Sequence, residues 1–167
     1  MVSEGTRCTV LRDGATVFQV GGLTRFAVVL PTTVAPASVD TDCVSITGRV
    51  NGDMSDLVAE VSWDAAGRQL VVRLSSSPPD GDAYTLSLTD SLKSATGRPL
   101  GGDAGVRIVL LEGDVNASGE VTAADILTVR RAVVEGWREP WLDVDRSGAV
   151  TAADLRAVRE RLGRRIP

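Results

Sequence analysis

The twelve residues Asp114 to Asp125, DVNASGEVTAAD, return 29 residues later as Asp143 to Asp154, DVDRSGAVTAAD, with nine of the twelve positions unchanged. A duplication this tight marks one structural unit used twice. Oxygen-bearing side chains stand at positions 1, 3, 5, 9 and 12 of each copy, and Gly119 and Gly148 stand at position 6. Alternate residues then turn their oxygens inward, the glycine takes a sharp bend, and the carbonyl of position 7 adds one more oxygen. That is the pattern of a loop closed around a hard cation. Ordinary turns do not need five oxygens at fixed positions twice over.

Each copy runs straight into a helix. Thr122 and Thr151 stand three residues before Asp125 and Asp154, a capping-box spacing in which hydroxyl and carboxylate satisfy the first amides. Ile126, Val129 and Val133 recur at helical spacing, as do Leu155, Val158 and Leu162. The loop spacing is that of an EF-hand, but no entering helix fits. Leu110-Leu111-Glu112-Gly113 precedes the first loop, and Gly136, Pro140 and Trp141 lie before the second.

A duplicated loop-then-helix with Asp closing each loop resembles the dockerin family, type I in style, from Gly113 to about Arg165. The resemblance implies a small all-α module holding two calcium ions. One set of oxygens would come from Asp114, Asn116, Ser118, the Glu120 carbonyl and Asp125. The other would come from Asp143, Asp145, Ser147, the Ala149 carbonyl and Asp154, with Thr122 and Thr151 contributing directly or through water. Loop 2 offers three carboxylates against two, which favours it as the tighter site.

The resemblance also implies a partner, a cohesin domain of a scaffold or cell-surface protein. Dockerins meet it through the residues just before the closing Asp and through the helix faces. Here those are Ala123, Ala124, Arg130 and Arg131 in the first copy, and Ala152, Ala153, Arg159 and Glu160 in the second. Near-identity of the copies implies two binding orientations related by a two-fold rotation. The charge reversal of Arg131 against Glu160 biases them toward the first helix.

Upstream, no helical period occurs. Cys8–Leu11, Thr16–Val20, Arg25–Leu30, Cys43–Val50, Leu57–Trp63, Gln69–Leu74, Tyr84–Thr89 and Val106–Leu111 are short, rich in Val, Thr and Leu, and parted by turn residues. Eight such strands predict an all-β sandwich over residues 1–112, with the all-α module over 113–167. Asp64-Ala65-Ala66-Gly67 reads as a hairpin turn. Phe26, Trp63 and Tyr84 are expected in the core, and Trp137 and Trp141 over the small core between the helices. Thr32 to Val39, and Asp82 to Leu100 with its Gly-Arg-Pro-Leu ending, resemble bacterial Ig-like modules of S-layer and other secreted proteins. Ser94 and Arg98 depart from that pattern, which implies a fold more than a function.

The chain of 167 residues has no histidine, which excludes Ser-His-Asp and Cys-His catalysis. Asp40 with Asp42, and Asp80 with Asp82, sit among turn residues, where Asp caps backbone amides, so the expectation is a non-enzyme. The net charge of −4 comes without a basic stripe, so nucleic acid is not an expected partner. No run approaches 18 apolar residues, so no membrane span is expected. Met1 to Gly5 lack the basic start and apolar core of a leader, and a segment cut from a longer secreted precursor is expected. Cys8 and Cys43 are the only cysteines. A disulfide between them suits an extracellular protein, with two buried thiols as the alternative.

The sequence thus predicts a non-catalytic, calcium-dependent docking segment, extracellular or at the cell surface, that anchors its host in a cellulosome-like complex with the sandwich as spacer or stabiliser. Two rivals stand beside it: a carbohydrate-binding sandwich with a calcium-stabilised appendage, which would contact polysaccharide, and a self-assembling cell-surface subunit.

Overall fold

The computed structural model describes residues 10–11, 16–19, 22–100 and 105–167. Among the described residues nine strands precede two helices: β1 Val10–Leu11, β2 Thr16–Gln19, β3 Arg25–Val29, β4 Val44–Gly48, β5 Gly52–Asp53, β6 Val58–Asp64, β7 Gln69–Leu74, β8 Asp82–Leu88, β9 Gly105–Leu110, α1 Ala123–Glu135 and α2 Ala152–Glu160. They build a sandwich of two sheets, ordered β1-β3-β7-β6 and β2-β9-β8-β4-β5, followed by the helical part. The expected strands are all represented. The ninth, β5, is a two-residue partner for the end of β4, pairing Gly48 with Gly52. Two residues carry no alternation, so nothing in the sequence marked it.

The chain divides into two compact units. One contains Leu23–Pro78 and Thr85–Arg107, the other Pro79–Tyr84 and Ile108–Pro167. In the first, β6 and β7 form the expected hairpin, with Trp63 opposite Leu70 and Asp64 opposite Gln69. The Asp64 carboxylate accepts the Ala66 amide at 3.0 Å, as a turn-forming Asp should. Phe26, Leu70, Val72 and Ile46 fill the core. Trp63 departs from expectation: it shares a face with the buried Leu70 opposite it, while Ser62 and Asp64 take the other face, but β6 stands at the end of its sheet and leaves the ring only half-buried. Asp40 caps a short 3₁₀ turn, accepting the Asp42 amide at 3.0 Å, so that acidic pair serves the backbone.

Cys43 is a buried free thiol in this structure. Burial pushes its pKa up, and the nearby Asp40 carboxylate adds to this. The expected bridge partner, Cys8, lies outside the described residues.

The second unit has its own cluster: Ala83, Val109, Leu111, Val121, Val129, Ala132, Leu142, Val144, Ala157 and Val158, with Ile126, Val133, Leu155 and Trp137 packed against it. Three of these residues lie upstream of 113. Tyr84 is buried as expected, its hydroxyl donating to the Pro79 carbonyl at 2.7 Å. Leu162, read as part of the second helical stripe, is 48% exposed. The reason is local: α2 stops at Glu160, and the chain turns away through Gly163, whose φ is 81°. Trp141 is 43% exposed and so covers less of this core than expected.

Candidate metal centre and partner face

The two loops repeat one hydrogen-bond network at 29-residue offset. Asn116 N–H donates to Asp125 Oδ1 at 3.1 Å, and Asp145 N–H to Asp154 Oδ1 at 3.0 Å. Ser118 and Ser147 amides donate to the carboxylates of Asp114 and Asp143 at 2.9 and 3.0 Å, and Gly119 and Gly148 amides reach the second oxygens at 2.7 and 2.8 Å. The Ser118 hydroxyl lies 2.9 Å from the Glu120 carbonyl, and the Ser147 hydroxyl 3.2 Å from that of Ala149. Positions 5 and 7 therefore bring two oxygens to one spot in each copy. Gly119 and Gly148, at φ 87° and 91°, take the left-handed bend between them.

Each loop ends on a capping box. Thr122 and Thr151 amides donate to Asp125 and Asp154 at 2.8 and 2.7 Å, while the threonine hydroxyls accept from Ala124 and Ala153 at 3.2 and 3.1 Å. The closing carboxylate is thus fixed by loop and helix together. Those hydroxyls face the helix amides and cap α1 and α2.

Asp125 and Asp154 are fully buried, and Asp114 nearly so. Asp143, Asp145 and Asp154 can each bring an oxygen within 4.8 Å of the other two, the one such acidic group among the described residues. In the first loop Asn116 stands in for a third carboxylate. Hydrogen bonds from Ser147 hold the Asp145 carboxyl below its usual pKa. No described arginine or lysine pairs with any of these aspartates. Three carboxylates so close, one fully buried and none paired, repel one another unless a cation joins them. An all-oxygen set of this kind fits calcium.

The expected partner residues lie on the helices. Ala123, Ala124, Arg130 and Arg131 are exposed on α1; Ala152, Arg159 and Glu160 are exposed at α2, and Ala153 is half-buried. Arg131 is already engaged, bound to Glu135 at 2.7 Å and stacked 5.5 Å over the Trp137 ring. Glu160 lies 3.9 Å from Arg156. The Arg131/Glu160 charge reversal is therefore partly neutralised within each helix. Sequence reading missed Leu127 and Val134, 61% and 79% exposed on α1. Their signal was present: apolar residues off the Ile126–Val129–Val133 stripe. It also missed Glu112, which binds Arg146 at 2.7 Å and Arg161 at 2.6 Å.

A duplicated, capped oxygen loop that leads each time into a helix defines a small helical module with an acidic cluster able to hold a metal ion, and here it follows a β-sandwich. Residues 112–163 match the family model of the dockerin type I domain, so the chain carries a C-terminal dockerin-type domain. That module class is non-catalytic. No curated protein matches the chain. Among solved structures, the N-terminal part of the bacterial S-layer protein SbsC is similar at 19% identity and TM-score 0.46, over 62% of this chain and 23% of its own. Domains 1–6 of SbsC are similar at 19% and 0.45, over 64% and 14%. A mutant type II cohesin–X-dockerin complex from Acetivibrio cellulolyticus is similar at 16% and 0.30, over 95% and 97%. The chain spans less than a quarter of these S-layer structures. With no TM-score among them reaching 0.5, these likenesses assign neither function nor partner.

Proposed function

We propose that residues 113–167 bind two calcium ions and dock the chain onto a cohesin domain, outside the cell or at its surface, with residues 1–112 as spacer or stabilising neighbour. The observation that carries this reading is the hydrogen-bond network repeated in both loops. In each copy it draws side-chain and carbonyl oxygens together, and no described basic side chain pairs with the loop aspartates. Asp114, Asn116, Ser118, Glu120 and Asp125 would hold one ion, and Asp143, Asp145, Ser147, Ala149 and Asp154 the other. Bound calcium supplies the positive charge that lets these carboxylates stay together as the helices pack.

The partner face is read from what each helix leaves open. On α1, Ala123, Leu127, Arg130 and Val134 recur at helical spacing and are all exposed. Their counterparts at and beyond α2 are Ala152, Arg156, Arg159 and Gly163, with no large apolar group. Exposed apolar groups gain most from being covered by a partner, so α1 is the favoured contact helix. The bias rests on Leu127 and Val134 more than on Arg131 and Glu160. The test is calcium-dependent binding to a panel of cohesin domains, run beside a panel of polysaccharides. Capture by a cohesin in calcium but not in chelator supports the reading. Polysaccharide binding alone turns it toward a carbohydrate-binding module.

A further inference from the structure

Resting on the calcium reading of the second loop, we infer that Glu112 holds the Arg146 guanidinium off that loop and thereby keeps an internal positive charge from competing with the metal ion. Arg146 occupies position 4 of the loop, directly after Asp145, with φ 60°. Ala117 has the same position and the same φ in the first loop but no charge. An arginine beside three unpaired carboxylates is their nearest substitute cation, since its fork of donors fits carboxylate oxygens.

The structure keeps that group elsewhere. Arg146 Nη2 lies 2.7 Å from Glu112 Oε1, while Glu112 Oε2 takes Arg161 Nε at 3.0 Å and Nη2 at 2.6 Å. Glu112 is itself fixed, because its amide donates to Asp80 Oδ1 at 2.7 Å and Asp80 pairs with Arg164 at 2.6 Å. Glu112, Arg146, Arg161 and Asp145 line one groove of about 340 Å³, so a released guanidinium has open space beside the acidic loop. The first loop needs no such holder, because it has no arginine to hold.

The experiment is calorimetric titration of the full chain with calcium alone, with the amides of Gly119 and Gly148 followed by NMR to tell the loops apart. Glu112→Gln is expected to weaken the second site about five- to tenfold, the scale of one charge brought near an ion in a partly solvated site, and to leave the first unchanged. Arg146→Ala is expected to cost nothing, and Glu112→Gln with Arg146→Ala to restore wild-type affinity. Ala117→Arg, which leaves Glu112 untouched, should weaken the first site to a similar extent. A double variant as weak as Glu112→Gln overturns the inference, since Glu112 would then act by its own charge or through Arg161. An Arg161→Gln variant that reproduces the loss overturns it in favour of the Arg161 arm. A wild-type chain without calcium at the second loop sinks the calcium reading and the inference together.

Discussion

Asp145 gives its backbone N–H to the Asp154 side chain, nine residues on, at 3.0 Å, so the last carboxylate of the loop is positioned by the third residue's main chain. Both residues belong to the same acidic group. The loop is built from its two ends toward the middle, and removing the closing carboxylate removes a ligand and a brace at once.

Asp154→Ala should therefore cost more calcium affinity than Asp125→Ala, since loop 2 offers three carboxylates and loop 1 two. We expect a loss of at least about tenfold at the altered loop. Calorimetry on the two variants compares them directly. A larger loss for Asp125→Ala would reverse the assigned order of the sites.

Chelation should remove helical circular dichroism. Without a cation the repulsion among Asp143, Asp145 and Asp154 opposes the packing of Val144, Val158 and Ala157. Helical signal that is unchanged in excess chelator would show that the cluster around Val129 and Leu142 suffices alone.

The two caps are expected to be equivalent. Thr122→Ala and Thr151→Ala should each lower stability by about 1 kcal/mol, the usual value of an N-cap hydroxyl. Urea denaturation of the calcium-loaded protein measures both. A loss confined to one threonine would mean the repeated geometry is not repeated in energy.

On the partner face, Leu127→Asp and Val134→Asp should abolish binding to a matched cohesin or weaken it by more than about tenfold, because each would bury an unpaired carboxylate against the partner. Arg156→Ala with Arg159→Ala should have a smaller effect. Equal losses from the two helices would restore the symmetric, two-orientation mode.

Cys43 gives a pH dependence. Its folded pKa is raised above 9.0 by burial, so the folded state holds the thiol proton more tightly than the unfolded chain does. Its contribution is present in full below the unfolded pKa and is lost as pH rises through the folded one. Under reducing conditions, wild type should lose more stability than Cys43→Ala from about pH 8 upward. Parallel loss in the two would remove this thiol from the alkaline response. Slow alkylation without reductant, and fast alkylation on unfolding, would mark a free thiol; protection until reduction would mark a bridge to Cys8.

What was legible in the sequence was periodic or repeated. The loops were readable because each ligand position has a partner 29 residues away, and the caps because Thr and Asp stand three apart. What escaped were contacts between residues that share no pattern. Glu112 lies outside the repeat and meets Arg146 only after folding. Arg146 itself was visible as one of the three positions where the copies differ, but a mismatch does not say what it touches. Val109 and Leu111 read as strand residues and Ala83 fell just before the strand expected from Tyr84, and alternation alone does not say which core a strand end enters. Trp63 failed for a related reason: its size and its alternation predict burial, but neither says that β6 stands at the end of its sheet, where the ring is only half covered.

The end of the chain has a mechanical consequence. Val121 N–H bonds the Arg164 carbonyl at 2.8 Å, Gly163 N–H the Val121 carbonyl at 2.9 Å, and Ile166 N–H the Gly119 carbonyl at 3.1 Å. Glu120 and Arg165 face each other in antiparallel sense. These bonds short-circuit the chain, so tension between Leu110 and Pro167 reaches them before it reaches either helix. In an antiparallel pair drawn from these two ends, both strands are tugged toward the same side. The bonds are then stressed one after another instead of together, beginning at Gly119 and Ile166. Once the ion pair of Glu112 with Arg161 has given way, the clasp opens like a zipper, and its first bond to part sits at the bend of the first cation loop.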